Sequence, residues 1–241
     1  MDKQKSPILY LIPSTLGDSG LGPIPSNVIR CIRSLDVFIL ESGKVGRAFL
    51  KQVGLEKPLN EYRYYELNKH TPEEEVANLL DPILKEGLDI GLLSDAGAPG
   101  IADPGADLVW HAHRRGIVVR PLVGPSSILL AVMASGMNGQ RFSFQGYLSA
   151  KRNQLAKDLK KLERESKNNR ATQVWIEAPY RNKGIFDTAI QVLAPTTLFG
   201  IACDLTLETE LVRTHPIMEW KRIRRPPINK RPTVFTLLAR G

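Results

Sequence analysis

One stretch constrains this chain more than any other: Gly91-Leu-Leu-Ser-Asp-Ala-Gly-Ala-Pro-Gly-Ile-Ala-Asp-Pro-Gly105. The apolar run Ile90–Leu93 ends abruptly at Ser94-Asp95, and a helical pattern resumes at Ala106. Between them lie three glycines, two prolines and two aspartates. Gly97, Gly100 and Gly105 carry no side chain and permit positive φ. Pro99 and Pro104 fix φ and stiffen the turn. Ordinary strand-to-helix connections in α/β units run about 2–6 residues, and this one is nearer ten. The pattern is that of a strand delivering a rigid, small-residue loop to a sheet edge. There main chain can approach a ligand closely, with two carboxylates ready for hydroxyls or amines. In open α/β sheets, ligands sit outside the carboxyl ends of the strands.

The first half supports such a sheet. Ile8–Ile12, Val37–Glu41, Glu61–Leu67, Asp89–Leu93 and Ile117–Val123 read as strands. Several are continuous apolar runs, as expected where both faces are covered. Helical patterns alternate with them. Ser26 is positioned to cap the first, which carries Val28, Ile29, Ile32 and Leu35. The second runs from Lys44 to Val53 and stops at Gly54. Thr71-Pro72-Glu73-Glu74-Glu75 marks a third, with a cap, a proline and acids in its first turn. It carries Val76, Leu79, Leu80, Ile83 and Leu84 on one face and ends at Gly87. Strands alternating with helices predict a mainly parallel sheet covered on both faces. After Val123 the pattern changes. Helices at 128–135, 151–167 and 181–193 mix with strands at 141–148, 172–177, 197–206, 210–214 and 233–239, and at least one close pair reads as antiparallel. The expected fold is therefore α/β with two α/β domains: residues 1–121 with a mainly parallel sheet, and 122–241 with a mixed sheet.

Charge separates the halves. Residues 1–120 carry 14 basic and 16 acidic side chains; residues 121–241 carry 19 and 9. The whole net charge of +8 thus comes from the second half. Lys221-Arg-Ile-Arg-Arg-Pro-Pro-Ile-Asn-Lys-Arg231 holds six basic residues in eleven, and Lys151, Arg152, Lys157, Lys160 and Lys161 add a helical cluster. Such asymmetry points to a polyanionic partner, and the plain alternative is ordinary solvation by lysine. Two distant cysteines, Cys31 and Cys203, predict buried thiols rather than a framework or ligand cluster. No run approaches the ~18 apolar residues of a membrane span. The start, Met1-Asp-Lys-Gln-Lys-Ser-Pro, does not read as a signal peptide, so a cytoplasmic protein is expected.

Four loops should share one edge if the first strands are parallel: Pro13–Asp18, Glu41–Lys44, Ser94–Gly105 and Gly124–Ser127. A helix N-terminus at Ser126 offers backbone N–H groups to an anion or carboxylate. Glu177-Ala-Pro-Tyr-Arg181 offers the same in the second half. There is no phosphate-binding P-loop, no Gly-x-Gly-x-x-Gly and no His/Cys metal spacing. His111 and His113 are two apart and point to different sides of a helix. Ser126 and Ser127 lack an evident His partner.

Ser94-Asp-Ala-Gly-Ala-Pro-Gly-Ile-Ala-Asp-Pro-Gly105 resembles the signature loop of the tetrapyrrole methylase superfamily, in the form found in the ribosomal RNA small-subunit methyltransferase I group. Leu9–Gly17, Val123–Ser127, Ala134–Met137, Arg141–Leu148, Glu177–Arg181, Ala202–Glu208 and Pro232–Leu237 resemble further segments of that group in the same order. The resemblance implies S-adenosylmethionine as cofactor, held in a cleft between two α/β domains, and a homodimer. Carried over by motif, it implies cofactor binding by Ser94, Asp95, Ala96, Gly97, Ala98, Gly100, Ile101, Ala102, Ser126 and Ser127. Ala178, Pro179, Pro232 and Thr233 would follow from the second domain. Glu41, Lys44, Asp103 and Arg181 are the substrate-side candidates, and no metal is implied. The group commonly has Glu-Asp-Thr-Arg where this chain has Glu41-Ser-Gly-Lys44. Ending at Gly241, the chain resembles a short form without the group's C-terminal extension.

The expected activity is methyl transfer, with ribosomal RNA or the small ribosomal subunit as partner and a ribose 2′-hydroxyl as acceptor. The alternatives are a small-molecule acceptor such as a tetrapyrrole, and a non-catalytic RNA-binding relative. Transfer from a sulfonium needs in-line alignment and exclusion of water. A ribose hydroxyl must also lose its proton, late or to a carboxylate. Glu41, Asp95, Asp103 and Glu177 are the acids near the loops.

Overall fold

The computed structural model describes residues 6–240. The chain divides into two compact units that meet in sequence at Ser126 and Ser127.

The first unit is built on a five-stranded sheet ordered β3-β2-β4-β1-β5. The strands are β1 (Ile8–Ile12), β2 (Val37–Leu40), β3 (Arg63–Glu66), β4 (Ile90–Leu93) and β5 (Val118–Pro121), and every pairing is parallel. Side chains alternate across the sheet, so the inner strands feed two cores. Ile8, Tyr10, Ile12, Phe38 and Leu40 pack with α1 (Ser26–Arg33) and α2 (Gly43–Val53) through Val28, Ile32, Phe49, Leu50 and Val53. Leu9, Val37, Ile39, Ile90 and Leu92 pack on the other face. Their partners are Val76 of α3 (Glu73–Val76), Ile83 of α4 (Asp81–Glu86), and Leu108 and Ala112 of α5 (Gly105–Arg114). Hence the helix after β1 and the helix after β4 cover opposite faces, although β1 and β4 are neighbours. This is a topological switch point, and the crevice it leaves lies outside the carboxyl ends of β1 and β4.

The second unit has a mixed sheet ordered β6-β7-β10-β8-β9. Here β6 (Phe142–Tyr147) runs parallel to β7 (Thr172–Ile176). The pairings among β7, β10 (Thr233–Leu238), β8 (Leu198–Cys203) and β9 (Leu211–Pro216) are antiparallel. Helices α7 (Arg152–Asn169) and α8 (Asn182–Val192) bury Leu155, Leu159, Leu162, Ile185 and Phe186 against Trp175, Phe199 and Phe235. These three rings stack, with Phe199 and Phe235 only 3° from parallel at 5.9 Å. Helix α6 (Ser127–Ala134) packs along β10, β7 and β8, and α9 (Ile217–Trp220) against β9.

Two sequence expectations need correction. The single helix expected from Thr71 to Gly87 is three pieces: α3, a 3-10 turn at Ala77–Leu80, and α4. Pro82 explains the break: it has no N–H to continue the helical ladder, and the Asn78 carbonyl takes the Asp81 N–H in a 3-10 turn instead. The phase shifts as a result, and Leu84, expected on the apolar face, is exposed. The expected caps also differ. Ser26 is the first residue of α1 and Pro25 stands at its cap, while Pro72 stands at the cap of α3. The Thr71 hydroxyl instead accepts from the Asn68 N–H at 3.0 Å. The working caps are Ser42, which accepts from Val45 N–H, and left-handed Gly54 and Gly87.

Candidate active site

The four loops expected to gather in the first unit do so, since all its strands are parallel. Ser14, after β1, bridges to the loop after β4: its N–H donates to the Gly97 carbonyl at 2.9 Å and its hydroxyl to the Ser94 carbonyl at 3.0 Å. These bonds stitch the switch point. The loop after β5 closes on the same place. A Cβ on Gly124 would lie 2.2 Å from Cγ of Pro13, so only glycine fits there. A Cβ on Gly97 would come within 3.1 Å of Leu16, and its φ is +76°. Gly100 and, without glycine's freedom, Ala102 also have positive φ.

Asp103 explains how the loop holds that shape. Its carboxylate accepts the Gly100 N–H at 2.9 Å and the Gly105 N–H at 2.7 Å. The sequence left Asp103 as a substrate-side candidate. The structure commits it to the loop's own backbone, ahead of α5.

Glu41 and Asp95 are arranged differently. Glu41, at the end of β2, accepts the Asp95 N–H through Oε2 at 2.9 Å. Its own N–H donates to the Leu93 carbonyl, so β2 and β4 leave the sheet together. Burial raises the proton affinity of Glu41 above the usual carboxylate range. The Asp95 N–H partly offsets this, and the nearby charges of Asp95 and Asp103 push the same way as burial. Burial raises Asp95 too, against a bond from the Ser42 N–H. Glu41, Asp95 and Asp103 enter no ion pair among the described residues. Partly desolvated carboxylates without a cation suit a positively charged ligand, which would supply the missing charge.

A cleft of about 330 Å³ opens at Asp95, lined by Ser14–Asp18, Leu93–Ala96 and the face of α2 that carries Val45, Phe49 and Gln52. It brings Ser94, Asp95 and Ala96 together with residues the sequence reading did not single out as ligands. Phe49 and Gln52 lie on a helix, where an amphipathic pattern hides a lining role inside a packing role. Lys44 is exposed in the first turn of α2, and Ile101 and Ala102 are exposed on the loop. Ala98, Gly100 and Ser126 are partly exposed.

In the second unit the candidates also share one edge. The carboxyl end of β7 and the start of β10 are register partners, Ile176 with Val234, and Thr233 is opposite Cys203. That places Ala178, Pro179, Pro232 and Thr233 side by side. Asn182, missed in the sequence, holds them there. Its buried Nδ2 donates to the carbonyls of Ile228 at 2.8 Å and Arg231 at 2.7 Å, and lies 3.0 Å from the Thr233 hydroxyl. Ser127, Ala178 and Pro179 are half-buried, Pro232 is exposed and Thr233 is buried.

Arg181 is not free for a substrate. Its guanidinium meets the fully buried Glu177 carboxylate at 2.7 Å and donates to the carbonyls of Leu148 and Ser149. Glu177 Oε1 accepts the Leu148 N–H at 3.3 Å. Burial still raises the Glu177 carboxyl, against the Arg181 charge. Asp204, at left-handed φ after β8, accepts from the Thr209 hydroxyl at 2.7 Å and Arg231 Nε at 2.8 Å. Burial alone would raise its proton affinity, but these bonds win and hold it below the usual range.

Among the described residues no cluster of His, Cys, Asp and Glu could hold a metal ion, and no helix is long and apolar enough to cross a membrane. His111 is half-buried and His113 exposed on α5.

Known proteins are similar to this chain. A Vibrio cholerae protein named ribosomal RNA small subunit methyltransferase I is 30% identical over 214 residues, covering 89% of this chain and 70% of its own length. Its Haemophilus influenzae namesake is 32% identical over 216 residues, covering 88% and 72%. Among solved structures, a cobalt precorrin-4 methyltransferase superposes on 98% of this chain and 97% of its own with a TM-score of 0.59. At 16% identity that likeness is one of fold. The sequence pattern of the tetrapyrrole (corrin/porphyrin) methylases matches residues 9–220, from the first strand of one sheet through the last helix of the other. This chain belongs to that family, and is a methyltransferase with S-adenosylmethionine as its methyl donor.

Proposed function

We propose that this protein methylates a ribose 2′-hydroxyl in small-subunit ribosomal RNA, in the cytoplasm and as a homodimer. The observation that carries the reading is the extent of likeness: relatives named for that RNA match 88–89% of the chain at 30–32% identity. The basic excess of residues 121–241 fits a polyanionic acceptor.

S-adenosylmethionine supplies an electrophilic methyl on a cationic sulfonium. In the first unit, Ser94–Ala98, Gly100–Ala102 and Ser126 would hold it, and the fit is chemical. The loop offers backbone where side chains would obstruct, and the uncompensated Glu41 and Asp95 carboxylates complement positive charge. In the second unit, Ser127, Ala178, Pro179, Pro232 and Thr233 are the candidates. The chain's own tasks are to align and to manage one proton. Rigid loops fix reacting groups at low entropy cost. Glu41 is suited to receive the hydroxyl proton: burial has raised its proton affinity, and Oε1 makes no hydrogen bond among the described residues. Glu177 is not suited, being held by Arg181.

Titration calorimetry with the cofactor, followed by mass mapping of small-subunit RNA from cells with and without the gene, tests this. One ribose methyl should disappear in the deletion strain. An unchanged map together with transfer to a small acceptor would sink the RNA reading.

A further inference from the structure

We propose that the second unit carries a track for single-stranded RNA, from Tyr180 past Lys183 to the basic loop at Arg224. This rests on the RNA reading above and gives it a location. Two cavities carry the inference. One, about 340 Å³, is lined by Arg152, Tyr180, Lys183 and Asp187 among others. The other, about 760 Å³, is lined by Lys183, Arg213, Arg224 and Arg225 with Pro226–Asn229. Lys183 is common to both walls, so the two cavities adjoin.

The sequence left the basic stretch 221–231 open between a phosphate contact and an incidental solvated loop. The structure makes it a fixed one. Ile228 is buried, and Asn182 pins the carbonyls of Ile228 and Arg231. The Lys230 N–H donates to the Pro179 carbonyl at 3.0 Å, and Arg225 grips Asp187 at 2.8 and 3.1 Å. That pair neutralises the path's acid. Lys183, Arg213 and Arg224 are exposed and enter no ion pair among the described residues. Cations outside any ion pair, carried on a braced backbone, suit phosphates. At the other end Tyr180 is 71% exposed on a rigid 3-10 turn, next to Pro179 at the edge already described. An exposed aromatic ring beside cations is a stacking platform for an unpaired base. A duplex could not present that base, and an acidic peptide would leave the ring unused.

The test uses the full chain and a fluorescent single-stranded RNA, with anisotropy measured across a salt series. Replacing Lys183, Arg213 and Arg224 together by alanine should flatten the log–log salt slope by about 2, at ~0.7 per phosphate lost. Near 0.1 M salt that corresponds to roughly 100-fold weaker binding. Tyr180→Ala should cost about tenfold with the slope unchanged, and Tyr180→Phe should restore it. Calorimetric cofactor affinity should stay at the wild-type value in all of them, which also reports that they fold. Wild-type slope and affinity in the triple variant, while the wild type methylates ribosomal RNA, would overturn the track alone. So would displacement of RNA by polyglutamate at equal charge concentration. RNA bound through the track but never methylated would support the track and refute the proposed acceptor.

Discussion

The two sheet edges solve the same problem, presenting a rigid rim, by opposite means. In the first unit rigidity comes from the backbone. Glycines at 97, 100 and 124 and prolines at 13, 99 and 104 set the path, and Asp103 ties Gly100 to Gly105. The side chains Glu41 and Asp95 are left without cations among the described residues, their proton affinities raised by burial. In the second unit rigidity comes from paired side chains: Glu177 with Arg181, Asp204 with Arg231, and Asn182 with three acceptors. A rim braced by backbone keeps its charges for a ligand. A rim braced by ion pairs has used the charges that brace it, and leaves ligand contact to unpaired cations beside it.

The contrast is broken most severely at Arg181. Arg181→Ala would strand the buried Glu177 carboxylate and release Leu148 and Ser149, so about 3–5 kcal/mol of stability should be lost. Thermal or denaturant unfolding reads this directly, and a loss under 1 kcal/mol would show that the pair is not a brace. Next is Gly124→Ala. Its Cβ must displace Pro13, at a cost of roughly 1–3 kcal/mol by overpacking, and calorimetry should show weaker cofactor binding. An unchanged affinity would detach this loop from the site. Asp103→Ala comes third. It frees two backbone N–H groups, which should cost about 1–2 kcal/mol and reduce cofactor affinity while leaving the second unit's melting unchanged.

The smallest effects are in pH, and their signs oppose. Glu41 has a folded pKa above its usual 4.5, so the folded state holds the proton more tightly. Its stability contribution is present below 4.5 and is lost as pH rises through the folded value. Glu41→Gln should therefore gain on the wild type as pH climbs out of the acid range, even as methyl transfer falls. Asp204 is lowered from 3.8; its contribution is present above that value and is lost as pH falls through the folded one. Asp204→Asn should lose on the wild type at neutral pH and draw level in acid. Denaturation curves for both variants across pH decide this, and parallel curves for Glu41→Gln would show that its carboxylate is not destabilised by burial.

Local signals were legible and non-local ones were not. The strand–loop–helix unit at Gly91–Gly105, the parallel first sheet and the antiparallel pairing in the second could all be read from periodicity and turn residues. The break at Pro82 was legible in principle, but an apolar face that continued past it masked the change of phase. Asn182 gave no signal. A polar residue after a Pro-Tyr-Arg turn is ordinary until β10 and the basic loop close over it. Arg181 misled differently: its partner Glu177 is only four residues earlier, but the burial of that carboxylate and the Leu148 and Ser149 carbonyls that also hold the guanidinium come from distant chain.

By itself, then, the sequence determined most of the elements and the special loop. These depend on residues close together in the chain, where backbone freedom and apolar period act directly. The donor followed from that loop's resemblance to the tetrapyrrole methylases. Tertiary structure alone decided which charges are available. It tied Asp103 to backbone, withdrew Arg181 and Asp204 into pairs, and left Glu41, Asp95, Lys183, Arg213 and Arg224 outside any ion pair among the described residues. A charge is free or spent according to burial and to what stands within about 4 Å of it, and residues far apart in sequence fix the burial even where, as for Asp103 and Arg181, a partner is near in the chain.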